Sequence, residues 1–127
     1  MGNSKGLLIT ILAIGVVFGG LFLLAKNNKI ANTNLGPATS YEYYWGNGCP
    51  HCKVVAEFFD TWTGRDKVQV DKKEVWNDQA NYKKMQKRAE ACQIPKDQLG
   101  VPLLYTPEGK CYVGDQPIID FFKNLNY

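Results

Sequence analysis

Two cysteines flank a proline and a histidine in Cys49-Pro50-His51-Cys52, the segment of this chain best equipped for chemistry. Thiols at this spacing, one helical turn apart, can alternate between a dithiol and a disulfide. If a helix starts at Pro50, Cys49 caps it. Free backbone N–H groups and the positive helix end then lie beside its sulfur, and both favour thiolate over thiol. Pro50 suits the first helical position, where its missing N–H has no intrahelical partner to lose. Cys52, one turn on and more buried, can attack a mixed disulfide formed at Cys49 and release the product. His51 adds a donor, and a positive charge when protonated, near the Cys49 sulfur. Stabilising that thiolate stabilises the reduced pair and makes the disulfide more oxidising.

Other uses of paired cysteines fit less well. A structural zinc site needs four ligands, and only Cys92 and Cys111 remain, far apart and without a second CxxC. Covalent haem attachment needs His directly after the second cysteine, where this chain has Lys53. A purely structural Cys49–Cys52 bond is the remaining alternative. No metal and no organic cofactor is called for. Cys92 and Cys111 are candidates for a structural disulfide, which an oxidising compartment would favour. Separate buried thiols are the alternative, since sequence cannot place their Cα atoms within the roughly 4.4–6.8 Å that a bond requires.

The elements that must hold this site are legible in the patterning. An aromatic run at 41–45, bounded by Gly46-Asn47-Gly48, reads as a first strand. From Pro50, Val54, Val55, Phe58, Phe59 and Trp62 recur at helical spacing, with Gly64 as the closing residue. The alternation at 68–70 suggests a second strand. A second helix is expected over 78–92, with Tyr82, Met85, Ala89 and Cys92 on one face. Strands at 102–105 and 110–113 flank the turn Thr106-Pro107-Glu108-Gly109. After Gly114, Pro117 can open a last helix whose Ile118, Ile119, Phe122 and Leu125 face the sheet. The order β-α-β-α-β-β-α implies an α/β domain, a mixed sheet with helices packed on it, over 41–127.

The chain before it is of another kind. Residues 7–25 carry no charge and as a helix would span about 28 Å, close to a bilayer's roughly 30 Å hydrocarbon core. The run is longer than the apolar part of a cleaved signal and lacks a clear cleavage site. Residues 1–26 therefore read as a single transmembrane anchor. Residues 27–40, rich in Asn, Thr, Gly and Pro, read as a flexible polar linker. Lys5 before the apolar run is balanced by Lys26 and Lys29 after it, so the positive-inside rule decides little about orientation. The net charge of +3 leaves no footprint for nucleic acid. Lys83, Lys84, Lys87 and Arg88 read as a solvated helix face.

Residues 41–127 resemble the thioredoxin superfamily in its compact, glutaredoxin-like form, and CPHC resembles the site of DsbA-type disulfide-forming oxidases. CPHC also resembles thioredoxin-like domains associated with vitamin K epoxide reductase homologues. Gly100-Val101-Pro102 resembles the superfamily's second hallmark. It implies a cis bond before Pro102, beside the active disulfide, with the Val101 backbone pairing with an extended substrate. Gly114-Asp115 before the last helix also looks glutaredoxin-like. The chain departs from the pattern in having Gly48 before the first cysteine, where such sites often carry an aromatic residue. Glu42 lies near the position of an acid in the DsbA pattern. It reads as an exposed strand carboxylate, with proton relay near Cys52 as the alternative. The expectation is an anchored thiol–disulfide oxidoreductase acting on thiols and disulfides of exported proteins, as oxidase or isomerase, outside the cytoplasmic membrane of a prokaryote. A membrane redox partner would recharge it. A reductase and a non-catalytic binding module are the alternatives.

Overall fold

The computed structural model describes residues 35–127, and the expected anchor lies outside them. Among the described residues no helix is long and apolar enough to cross a membrane. The elements follow in the order β1 (Tyr41–Trp45), α1 (Pro50–Thr61), β2 (Val70–Glu74), α2 (Gln79–Ala91), β3 (Leu103–Tyr105), β4 (Cys111–Val113) and α3 (Asp115–Lys123), with a short 3-10 turn at Lys96–Gln98. The four strands form one sheet in the order β2-β1-β3-β4. β1 runs parallel to β2 and antiparallel to β3, and β3–β4 is an antiparallel hairpin. Three helices on a mixed four-stranded sheet are compatible with a thioredoxin-like fold.

Successive β1 side chains alternate between the two faces of the sheet. Tyr43 and Leu104 face α1 and α3, where Val55, Phe59, Trp62, Ile118 and Phe122 complete an aromatic-rich layer. Tyr44, Leu103 and Tyr105 face the other way, against Met85 and Ala89 of α2. Each face thus buries one set of alternate strand residues, and a slip of one residue in β1 would exchange the two layers.

Several local expectations shift. β2 starts at Val70, two residues later than expected, and runs through Asp71-Lys72-Lys73-Glu74, four residues beyond the apolar alternation. It is an edge strand, its register with β1 running from Tyr41↔Val70 to Trp45↔Glu74. An edge tolerates lysines that a central strand would not. On α1, Val54 is exposed while Val55 and Phe59 are buried. Gly64 does not end the helix through a left-handed turn. Its missing side chain makes room for the rings of Trp62 and Tyr127, which a Cβ would strike. α3 starts at Asp115, two residues before Pro117, which still falls in its first turn.

Residues 35–40, read above as the end of the linker, have no helix or strand but pack on the domain. Ala38 and Ser40 are buried, Ser40 Oγ donates to Asp71 Oδ2 at 2.9 Å, and the Gly36 carbonyl accepts from Arg88 Nη1 at 2.8 Å.

Candidate active site

The site assembles at the end of the sheet where β1 passes into α1. After Trp45 the chain turns through Gly46-Asn47-Gly48. The Cys49 N–H donates to the Gly46 carbonyl at 3.1 Å, and Gly48 takes a φ of 86° that only glycine adopts without strain. Cys49 is the cap of α1, with extended backbone angles, and Pro50 opens the helix. The Cys52 N–H donates to Cys49 Sγ at 3.2 Å. A sulfur at a helix start, accepting a backbone N–H, is held where negative charge is favoured. Cys49 and Cys52 are joined as a disulfide with Cα atoms 5.2 Å apart. Both are largely buried, whereas Pro50 and His51 are exposed.

From the other elements, the Val101–Pro102 bond is cis, and the Val101 carbonyl oxygen lies 3.8 Å from Cys49 Sγ. Pro102 is tied to the last helix through its carbonyl, which accepts the Gly114 N–H at 2.9 Å. His51 Nδ1 meets Asp115 Oδ2 at 3.0 Å, so the exposed residue of the CPHC turn touches the first residue of α3. The hydrogen bond from His51, then that from the Gln116 N–H, holds the Asp115 carboxyl below the ordinary carboxylate range. Tyr43 donates from beneath to the Cys52 carbonyl at 3.3 Å. Burial pushes its phenol up, so it stays neutral at any physiological pH.

Two residues at the site gave no signal in the sequence. The Glu74 carboxylate, at the end of β2, accepts the backbone N–H groups of Asn47 (3.2 Å), Trp76 (3.0 Å) and Asn77 (2.8 Å). Desolvation would raise its carboxyl, but these N–H groups outweigh it and hold the group below its ordinary range. Glu74 thus clamps the loop before Cys49 to the loop after β2. On that second loop sits Trp76, 54% exposed, its indole filling the space that a Gly46 side chain would take. An aromatic ring therefore does pack on the loop before Cys49, but it arrives from a distant loop.

Glu42 is neither exposed nor near Cys52. It is 3% exposed and shares the face of β1 that meets α2, opposite the face on which α1 packs. Its carboxylate accepts from Arg88 Nε (2.9 Å) and Nη2 (3.2 Å) and from Tyr44 Oη (2.7 Å), and it pairs with Lys84 Nζ at 2.6 Å. Burial alone would raise its carboxyl, but these hydrogen bonds outweigh it and hold the group at about 2. Its role is structural, and proton relay to Cys52 has no path there. Arg88, expected on a solvated face, is 5% exposed and lies over the Tyr105 ring.

Cys92, which caps the end of α2, and Cys111 on β4 are joined as a disulfide with Cα atoms 6.1 Å apart. Among the described residues no group of three or more His, Cys, Asp and Glu side chains is placed to hold a metal ion. Comparison of the chain with family models, with curated proteins and with solved structures gives no match. A disulfide at CXXC spacing, on a helix start within a mixed α/β sheet, suits thiol–disulfide chemistry.

Proposed function

We propose that this chain is a thiol–disulfide oxidoreductase acting on protein substrates through Cys49 and Cys52. The observation that carries the proposal is the Cys52 N–H aimed at the Cys49 sulfur at the start of α1. It supports a Cys49 that leaves, or attacks, as a thiolate. In the oxidising direction a substrate thiolate attacks Cys49 Sγ, the Cys49–Cys52 bond breaks, and Cys52 departs as the thiolate. A second substrate thiol then attacks the substrate sulfur of the mixed disulfide and releases Cys49. The substrate loses two electrons and two protons, which the Cys49–Cys52 pair takes up. Run backwards, Cys52 resolves the mixed disulfide and the substrate is reduced. The Val101 backbone, beside the Cys49 sulfur, would align an extended substrate chain.

Oxidation or isomerisation of exported proteins is the favoured direction. The uncharged run at 7–25 supports a membrane tether, and we place the domain outside the cytoplasmic membrane of a prokaryote, where a membrane redox partner would reoxidise it. Equilibrating the full chain with glutathione buffers tests the direction. A potential near the roughly −120 mV of a strong oxidant fits it, and one near the roughly −270 mV of thioredoxin makes the chain a reductase. A Cys52→Ser variant should accumulate mixed disulfides with substrate proteins at Cys49. If none forms while the thiol stays accessible, the chain is a binding module instead.

A further inference from the structure

The imidazole of this CPHC turn is tied to the last helix. His51 Nδ1 is engaged by Asp115 Oδ2 at 3.0 Å, and the other oxygen of the same carboxylate is fixed by the Gln116 N–H at 2.9 Å. The Asp115 side chain is 30% exposed against 70% for His51, so the carboxylate is the better anchored partner and the ring goes to it. We propose that Asp115 is a positioning residue that sets the redox poise of Cys49–Cys52 by holding His51 against the last helix. This deepens the redox function proposed above and rests on it.

The physical consequence has one sign. A protonated imidazole near a thiolate stabilises the reduced pair and makes its disulfide more oxidising. Paired with a carboxylate, the same imidazole presents no net charge, and the carboxylate itself disfavours a thiolate nearby. Asp115 therefore makes Cys49–Cys52 a weaker oxidant than the CPHC sequence alone would give. An acid in the first turn of α3 would ordinarily be explained by the helix dipole. That explanation predicts a change in stability and none in potential.

The test is a cycle of potentials on the full chain, measured with glutathione buffers for the parent, Asp115→Asn, His51→Gln and the double variant. Asp115→Asn should shift the exchange constant toward the reduced pair by about fivefold, the upper end for an ion pair partly open to solvent, or about 20 mV at roughly 30 mV per tenfold. In the His51→Gln background the same substitution should shift it less than half as far, and Asp115→Glu should restore the parent value. No shift, a shift toward the oxidised pair, or an equal shift in both backgrounds overturns the proposal. The potential is an equilibrium property of the two cysteines and does not depend on a protein substrate. Failure to trap substrates with Cys52→Ser would sink the proposed function while leaving this cycle readable.

Discussion

Replacing Glu42 with glutamine removes one negative charge from beneath α2 and leaves Arg88 buried without its counterion. The cost follows from the carboxyl's ionisation. An ordinary glutamate at 4.5 falls to about 2 in the folded chain. That difference corresponds to about 3 kcal/mol at 1.36 kcal/mol per unit. Loss of one partner of a buried pair gives a similar figure by a separate route, about 3–5 kcal/mol. A small domain has about 5–15 kcal/mol in all, so Glu42→Gln should remove a large part of the stability. With a slope of about 1.5 kcal/mol/M in urea, the unfolding midpoint should fall by about 2 M. Both disulfides are kept oxidised in each protein. The pH dependence carries the sharper sign. Because the folded carboxyl ionises below the unfolded one, its contribution is complete above about 4.5 and is lost as pH falls toward about 2. The gap between parent and variant should therefore narrow from about pH 5 downward and close only as pH approaches about 2. A loss under about 1 kcal/mol at pH 7, or a gap independent of pH, would refute the buried-pair account.

Three further outcomes follow from the packing. Replacing both Cys92 and Cys111 by alanine opens a loop of sequence separation 19 and should cost about 3 kcal/mol in chemical denaturation. The Cys49–Cys52 potential should stay at the parent value; a change there would mean that the two disulfides are coupled. Gly46→Ala drives a Cβ into the Trp76 indole, so the ring must swing out, at about 1–3 kcal/mol. Trp76 fluorescence should move toward that of a fully solvated indole, and an unchanged spectrum would contradict the contact. Gly114→Ala forces a side chain onto a φ of 96° and should cost about 1–2 kcal/mol, read from thermal unfolding, with none lost if the turn simply relaxes.

Where the sequence spoke clearly, the cause was periodicity with a strong apolar signal. The aromatic run of β1 and the face built by Val55, Phe59 and Trp62 of α1 have little choice but to meet across Tyr43, and Cys49 falls between them. The hairpin was legible for a different reason, since Pro107 and Gly109 write the turn directly. β2 was misplaced because an edge strand can be held by its parallel ladder with β1 while showing lysines to solvent. Glu42 was misread because a charge in an aromatic strand looks exposed unless its partner is known, and that partner, Arg88, lies far along the chain. Trp76, Glu74 and the Asp115–His51 contact share this difficulty. Each depends on which loops meet at one end of the sheet, and topology, not local patterning, decides that.

The direction of β1 has a consequence for how this unit can be joined to other things. The chain joins the domain through residues 35–40 at the start of β1, and the CPHC turn lies at its far end, about 17 Å away for a five-residue strand. α1 runs back from that turn for twelve residues, about 18 Å, to Trp62, whose indole meets the ring of Tyr127 at 5.8 Å. Tyr41 and Tyr127 thus lie toward the same pole, and the Cys49–Cys52 sulfurs occupy the other. Such a unit can be spliced at either end, or inserted as a cassette in a host loop, with its reactive pole still open to a visiting chain.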